Sequence, residues 1–513
     1  MNNITNIELN GVVYAIKDEE AREALENITI DESIIDEKIS NAVPVENGTG
    51  VNSMQSKYFA GNEEEDEPHT NYAKGLGNVA LGLGAYTDGK AAVAIGRLTA
   101  APVSYATAFG LRTTALGNRA VVMGDSGCNA FLDAGITSST KSADIISAWN
   151  TSKFGLAKGK DSFVYGSNCL AIGNGSTANG LSSVAYGAYT NANGYYVSAT
   201  GGYSSAFGHS TNSAFAILPT LTGSTKAATI NTAWDTNKFS LAHGTGSIAG
   251  GLDCLVLGKY SIGIGNSNMI SGDNSAVFGT TNTSQSANTI IAGISNTIST
   301  NGESSAIFGI GNTISGGQAL VTGSYNTCDG ALSFVNGREN TISGESSAII
   351  GAYNQSECKT SLITGAHNTT IHGEHSFVSG GNNQIKVQSL TSSVIGSSNT
   401  LNNAVGVHVI GKNNTVNADN TYTIGEGLKA NNINGLYLGQ FNKDISENGL
   451  QLVIGKGIAD DNRDNLIEYR RNGDTLDIYA SYIRFKKPDG TTASIFDILS
   501  RIQTLENIVN NAQ

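Results

Sequence analysis

Glycine returns every seventh residue along much of this chain, and that period constrains the fold more than any other feature. Gly75, Gly82, Gly89 and Gly96 are followed on the same step by Gly110, Gly117 and Gly124. A second run leads from Gly159 through Gly166, Gly173, Gly180, Gly187, Gly194 and Gly201 to Gly208, and a third from Gly244 through Gly251, Gly258, Gly265 and Gly272 to Gly279. Further on, the step relaxes to about 14 residues, at Gly293, Gly309, Gly323, Gly337, Gly351, Gly365, Gly380, Gly396, Gly411, Gly425, Gly439 and Gly455. A short fixed period marks a stacked repeat, in which each unit is one turn of a solenoid.

Each unit reads as two short strands and two turns. Ser305–Gly309, Ser333–Gly337 and Ser361–Gly365 read SAIFG, SFVNG and SLITG. The residue two before the glycine is β-branched and apolar: Val277, Ile291, Ile307, Val321, Val335, Ile349, Ile363, Val378, Val394. Strand alternation puts that column on one face and its two neighbours on the other. Small or apolar residues also occupy the position three before the glycine (Ala276, Ala306, Leu320, Phe334, Ala348, Leu362, Phe377). Such a strand wants cover on both faces, one from its own roll and one from another chain.

An asparagine falls three residues after the glycine in successive units: Asn268, Asn282, Asn296, Asn312, Asn326, Asn340, Asn354, Asn368, Asn383, Asn399 and Asn414. Stacked coils place these amides about 4.8 Å apart, where they can form a hydrogen-bonded ladder. The fold expected is therefore all-β, a parallel β-roll of 14-residue coils, with a short helical segment at the start and a coiled coil at the end.

Composition agrees. There are 63 glycines but 5 prolines and no Gly-x-y triplet, which excludes collagen, and a net charge of −13 argues against nucleic-acid binding. Cys128, Cys169, Cys254, Cys328 and Cys358 show no metal spacing and read as buried, reduced thiols. No apolar run is long enough for a membrane span, and no secretory leader is read at the start, so membrane insertion and export are not expected.

The units Val93–Gly96, Leu170–Gly173, Ser183–Gly187 and Ser275–Gly279 (VAIG, LAIG, SVAYG, SAVFG) resemble the S-x-A-[IV]-G repeat of trimeric autotransporter adhesin heads, the YadA-like heads. The resemblance covers residues from about 71 to 456 and implies a homotrimeric, left-handed parallel β-roll. Those adhesins carry a leader and a membrane-anchor barrel, and neither is read here. Both ends are similar instead to bacteriophage tail-fibre proteins. Ile7–Arg22 resembles the hairpin and helix that open many tail structural proteins, and Val453–Ile467 resembles a G-N-G…R-S-N element near fibre tips. Lys456 stands where that element has Asn, and Asp464 where it has Ser.

At the start, Asp18 suits an N-cap for a helix over Glu19–Leu25, and Ile28, Ile30, Ile34, Ile35 and Ile39 continue an apolar stripe. Glu63–Glu67 reads as a solvated linker. At the other end Ile495, Ile498, Ile502, Leu505 and Val509 form an a/d seam for registering three chains. Two inserts interrupt the roll: Thr140–Phe154 repeats as Thr225–Phe239 at a constant offset of 85, and the two copies hold both tryptophans, Trp149 and Trp234. These rings, with Phe154 and Phe239, are candidate contacts for a partner or glycan, because solenoid insertions project from one face and aromatic planes stack on sugars. Anchoring of each insert against the roll is the other reading.

The organisation expected is a particle-attachment segment (1–70), β-roll (71–126), insert 1 (127–155), β-roll (156–211), insert 2 (212–240), β-roll with Asn ladder (241–456), β-rich tip (457–493) and coiled coil (494–513). Glu303, Glu345 and Glu374 recur at one coil corner, a periodic decoration rather than a catalytic pair. His367, His372 and His375 match no metal motif. No catalytic residue, cofactor or metal is expected. The function expected is that of a phage or prophage tail fibre, made in the host cytoplasm and carried on the virion. It would dock to baseplate or tail proteins through its N-terminus and attach to a bacterial surface receptor or glycan. A tailspike-type polysaccharide depolymerase and a cell-surface trimeric adhesin are the alternatives.

Overall fold

In the computed structural model, residues 6–9, 12–15 and 72–511 are described, with breaks at 74–76, 153, 182, 187–188, 196, 201, 210–226, 237, 372–373, 387–389, 446–448, 481–482 and 487–489. The chain forms two units, Met1–Asn52 and Ser53–Gln513. In the first, Asn6–Leu9 pairs antiparallel with Val12–Ala15, Asn6 opposite Ala15 and Leu9 opposite Val12. The expected helix over Glu19–Leu25, the isoleucine stripe and the Glu63–Glu67 linker lie outside the described residues.

The second unit is a parallel β-solenoid of about 24 turns. One coil illustrates the build. Long strand Ala276–Thr280 turns a corner into short strand Thr283–Ser284, and a second corner leads into the next long strand, Ile290–Ile294. Long strands pair in parallel with glycine on glycine, as Gly279 on Gly293 and Gly309 on Gly323, and short strands pair likewise, as Thr283 on Thr297. Two parallel sheets therefore face one another across a thin interior.

Alternation fills that interior with one residue per strand. Val277, Ile291, Ile307, Val321 and Val335 come from the long-strand sheet, and Ile298, Ile314, Cys328 and Ile342 meet them from the short-strand sheet, all fully buried. Toward the N-terminal end the same columns hold alanine, as at Ala94, Ala108, Ala178 and Ala206 facing Ala101, Ala115, Ala171 and Ala199. β-Branched residues suit a pleated, enclosed surface, so the coils from Val277 onward bury more apolar surface each.

The glycine column is forced by space as well as by dihedral. Gly309 has φ +147°, and a Cβ there would lie 1.8 Å from the carbonyl oxygen of Gly323 in the next coil. The seven-residue step also resolves into two columns. Gly251, Gly265 and Gly279 end long strands, whereas Gly244, Gly258 and Gly272 follow short ones; the second column then passes to Ser286, so the period doubles. Gly309→Ala is expected to destabilise the roll by at least about 2 kcal/mol, because the methyl must push two hydrogen-bonded coils apart. Amide hydrogen exchange across Ala306–Ser324 reads this as lost protection beside the substitution.

Beyond the last long strand, Leu450–Lys456, the chain turns antiparallel through Asn465–Arg470 and Thr475–Ile478. Arg484–Lys486 pairs with Thr492–Ser494. The chain then enters helix α3, Ile495–Asn511; helices α1, Ser142–Thr151, and α2, Ala227–Thr236, belong to the two inserts. The Ser494 hydroxyl accepts the Asp497 N–H at 3.0 Å and the Asp497 carboxylate accepts the Ser494 N–H at 2.9 Å, a capping box that starts α3.

Candidate functional site

Asn326 shows how the buried amide column works. Its Nδ2 donates to Asn312 Oδ1 at 3.0 Å and to the Gly337 carbonyl at 2.8 Å, and its own Oδ1 accepts the backbone N–H and the Nδ2 of Asn340, both at 3.0 Å. The same pattern links Asn268 through Asn282, Asn296, Asn312, Asn326, Asn340, Asn354, Asn368, Asn383 and Asn399 to Asn414. Each amide closes a corner and ties it to the next coil. The column contains no space for a ligand, and its chemistry is structural.

Before the asparagines begin, cysteine holds this position at Cys169 and Cys254, with Ser183, Val197 and Ser240 between them. The Cys169 thiol donates to Gly180 O at 3.2 Å and the Cys254 thiol to Gly265 O at 3.3 Å, each on the carbonyl that the ladder amide would meet. Burial pushes the Cys254 thiol above its ordinary value, and Cys328, inside the core, up to about 12. A second ladder, which reading the sequence missed, runs along the opposite corner. The serine that opens each SxxxG unit accepts the N–H of its counterpart one coil on, as Ser333 does from Ser347 at 3.3 Å and Ser347 from Ser361 at 3.1 Å.

The inserts pack onto the outer face of the short-strand sheet. Ile145 and Trp149 of α1 lie in one buried cluster with Leu156, Leu170 and Val184, and Ile230 and Trp234 of α2 lie in it with Leu241 and Leu255. Trp149 Nε1 donates to Phe154 O at 3.0 Å and Asn168 O at 3.2 Å; Trp234 Nε1 donates to Phe239 O at 3.0 Å and Asp253 O at 3.2 Å. The expectation that Trp149, Trp234, Phe154 and Phe239 form a lateral contact surface is corrected here. They are 0%, 5%, 0% and 2% exposed, so no sugar or partner reaches a ring face. Trp149→Phe is expected to cost about 1–2 kcal/mol, since two carbonyls lose the indole donor while the apolar contact persists; a melting midpoint checks it.

Where the inserts end, the short-strand face changes character. The outward column passes from Leu241, Leu255 and Met269 to Thr283, Thr297, Thr313, Thr327 and Thr341. The long-strand face is different again, because it carries apolar side chains in the open. Phe278, Ile290, Phe308 and Leu320 are exposed in successive coils, Ile350 and Leu362 in two more after the half-buried Phe334, and Ile395, Ile410 and Ile424 further along. Up to Ile395 the large residue has a small or short one on the same strand, as Ala276 beside Phe278, Ala292 beside Ile290, Ala306 beside Phe308, Thr322 beside Leu320 and Thr364 beside Leu362, whereas Ile410 and Ile424 stand beside His408 and Tyr422, which stack on one another at 4.8 Å.

On α3, Ile495 and Ile498 are half-buried beside the preceding strand, whereas Ile502, Leu505 and Val509 stand exposed with Leu499 and Ile508. At the tip, Arg463 Nη1 donates to Asn442 O at 3.2 Å and to Gly427 O, and Asn465 Oδ1 accepts the Lys443 N–H at 2.8 Å. These two residues cap the open edge of the last coils. Lys456 and Asp464 lie 3.2 Å apart, and a hydrogen bond from Lys456 holds the Asp464 carboxyl below its ordinary value.

His367 stacks on Tyr353 at 4.8 Å, His375 sits at the opposite corner, and His372 lies outside the described residues. Among the described residues no group of three His, Cys, Asp or Glu side chains is placed to hold a metal. No helix among them is long and apolar enough to cross a membrane.

The family model of the grass antifreeze beta roll matches residues 257–352. No curated protein matches the chain. The coil geometry and this match agree on a β-roll repeat protein.

Proposed function

We propose that this chain is the body of a homotrimeric attachment fibre of a phage or prophage particle, a left-handed roll whose N-terminal unit docks to tail or baseplate proteins and whose roll and tip meet a bacterial surface. The observation that carries the reading is the long-strand face. A column of exposed Ile, Leu and Phe over so many coils, with a small residue beside most of the large ones, is the pattern of a packed interface rather than of a wetted surface. Its repeat equals the coil repeat, so the partner that matches it is another copy of the chain in register. The uncovered apolar side of α3 asks for the same partner.

Particles released on induction of the producing strain, labelled with gold-coupled antibody to the chain, test the reading. Label on tails supports it, and particles lacking the chain contradict it. Oligosaccharide released when the purified chain is incubated with host capsule would favour the depolymerase instead.

A second reading has its own support. The antifreeze match covers the coils where Thr283, Thr297, Thr313, Thr327 and Thr341 form a regular hydroxyl column, a flat array that could order water. Asp329 and Glu357, two residues beyond Thr327 and Gln355, break the uncharged character of that face. Thermal hysteresis of the purified chain, abolished by Thr313→Tyr, would favour this reading over the fibre.

A further inference from the structure

The corner that leads into the long strands holds a residue at positive φ in coil after coil. Asn274, Asn288, Asn420 and Asn434 fill it in four coils, as suits a residue that tolerates the left-handed region, and Gln318, Leu332, Thr360 and Thr391 are among those that fill it in the coils between. Nearer the inserts, the corner carries Tyr189, Tyr203 and Tyr260 at φ 54°, 58° and 53°, with Gly246 in the coil between the last two. The positive φ is a demand of the corner itself, met by arginine at Arg119 and leucine at Leu332 as well, and does not by itself mark a site. What sets the three tyrosines apart is an open aromatic ring, 57%, 67% and 67% exposed.

The rings are nevertheless ordered along the edge. Tyr189 and Tyr203 stack with centroids 5.2 Å apart and planes 17° from parallel. Tyr260 lies over Gly246 and Tyr189 over Gly175, so closely that a Cβ on either glycine would come 2.9 Å and 2.7 Å from the ring. Tyr203 and Tyr260 are two coils apart, a separation of about 9.6 Å, and Gly246 puts no side chain between them. A slot of that width takes one pyranose ring between two aromatic planes.

We propose that this tyrosine edge is a carbohydrate-binding site. The C–H faces of a pyranose stack between Tyr203 and Tyr260, Tyr189 backs Tyr203, and the phenol hydroxyls bond sugar hydroxyls of an extended surface glycan. The site deepens the attachment reading, on which it rests, by giving it a ligand class and residues other than the buried tryptophans. Flat, exposed aromatic faces are what sugar C–H groups meet.

The test applies the full-length protein to an array of bacterial O-chains, capsular polysaccharides and teichoic acids. Tyr203→Asn/Tyr260→Asn is the variant, asparagine being what the same corner uses at Asn274. We expect the wild type to be retained on at least one glycan, the double variant to lose roughly tenfold or more, and Tyr325→Asn on the other corner to bind as wild type. Nitration of Tyr203 and Tyr260 in the native wild type, suppressed by the retained glycan, gives a readout independent of any variant. Equal binding by the double variant, or nitration that the glycan leaves unchanged, overturns the site. A wild type that binds no glycan overturns it too, while gold labelling of particles decides the fibre reading separately.

Discussion

Asn326→Leu is expected to be among the most damaging single substitutions in the roll. The leucine removes the donors to Asn312 Oδ1 and Gly337 O and the acceptor of the Asn340 backbone N–H, in a column that is fully buried. Asn312 Oδ1 keeps the Asn326 backbone N–H, so the two groups left without a partner, Gly337 O and the Asn340 N–H, cost about 2–6 kcal/mol together, and the loss falls on the coils from Asn312 to Asn340. Asn326→Asp keeps an acceptor for the Asn340 N–H and loses the donors, and its carboxylate is unpaired in the interior; it is expected to be as harmful above its pKa and milder in acid. A melting midpoint for the leucine variant within about 0.5 kcal/mol of wild type would show that the ladder is a by-product of stacking.

Ile410→Asp with Ile424→Asp is expected to separate the protomers while leaving each roll folded. The two side chains are exposed neighbours on the long-strand face, paired in register through adjacent strands. Each isoleucine forgoes about 2 kcal/mol of burial, and every copy places unpaired carboxylates against the others. The far-ultraviolet spectrum of a β-protein should persist while the mass falls to that of one chain. An unchanged mass would place the interface elsewhere.

Much of the roll was legible in the residues, and the reasons are local. Glycine before a close-passing carbonyl, a β-branched residue two positions earlier and asparagine three positions later each answer a demand that recurs in every coil, so each repeats. The choice between lateral contact and anchoring at the Trp149 and Trp234 inserts was harder to read, because their partners lie outside the repeat's familiar columns. Leu156, Leu170, Val184, Leu241 and Leu255 make the outer short-strand face apolar only beneath the helices, and an apolar outward column signals a cover to be found. The serine ladder was visible as a letter in SxxxG units, yet its role needed the coil-to-coil register that places Ser347 above Ser333. Arg463 and Asn465 could be recognised as an element but not as a cap, because Gly427 and Asn442, the carbonyls Arg463 meets, belong to other coils. The tyrosine edge lay hidden for a different reason, since the second insert separates Tyr203 from Tyr260 in the chain and only the register of the long strands brings their corners within two coils.

Sedimentation equilibrium of the intact chain tests the central claim that copies of the roll cover one another's apolar face. The result expected is about three times the chain mass of 53.1 kDa, unchanged by dilution into the nanomolar range. A single-chain mass, with the long-strand face stable in water, would contradict it.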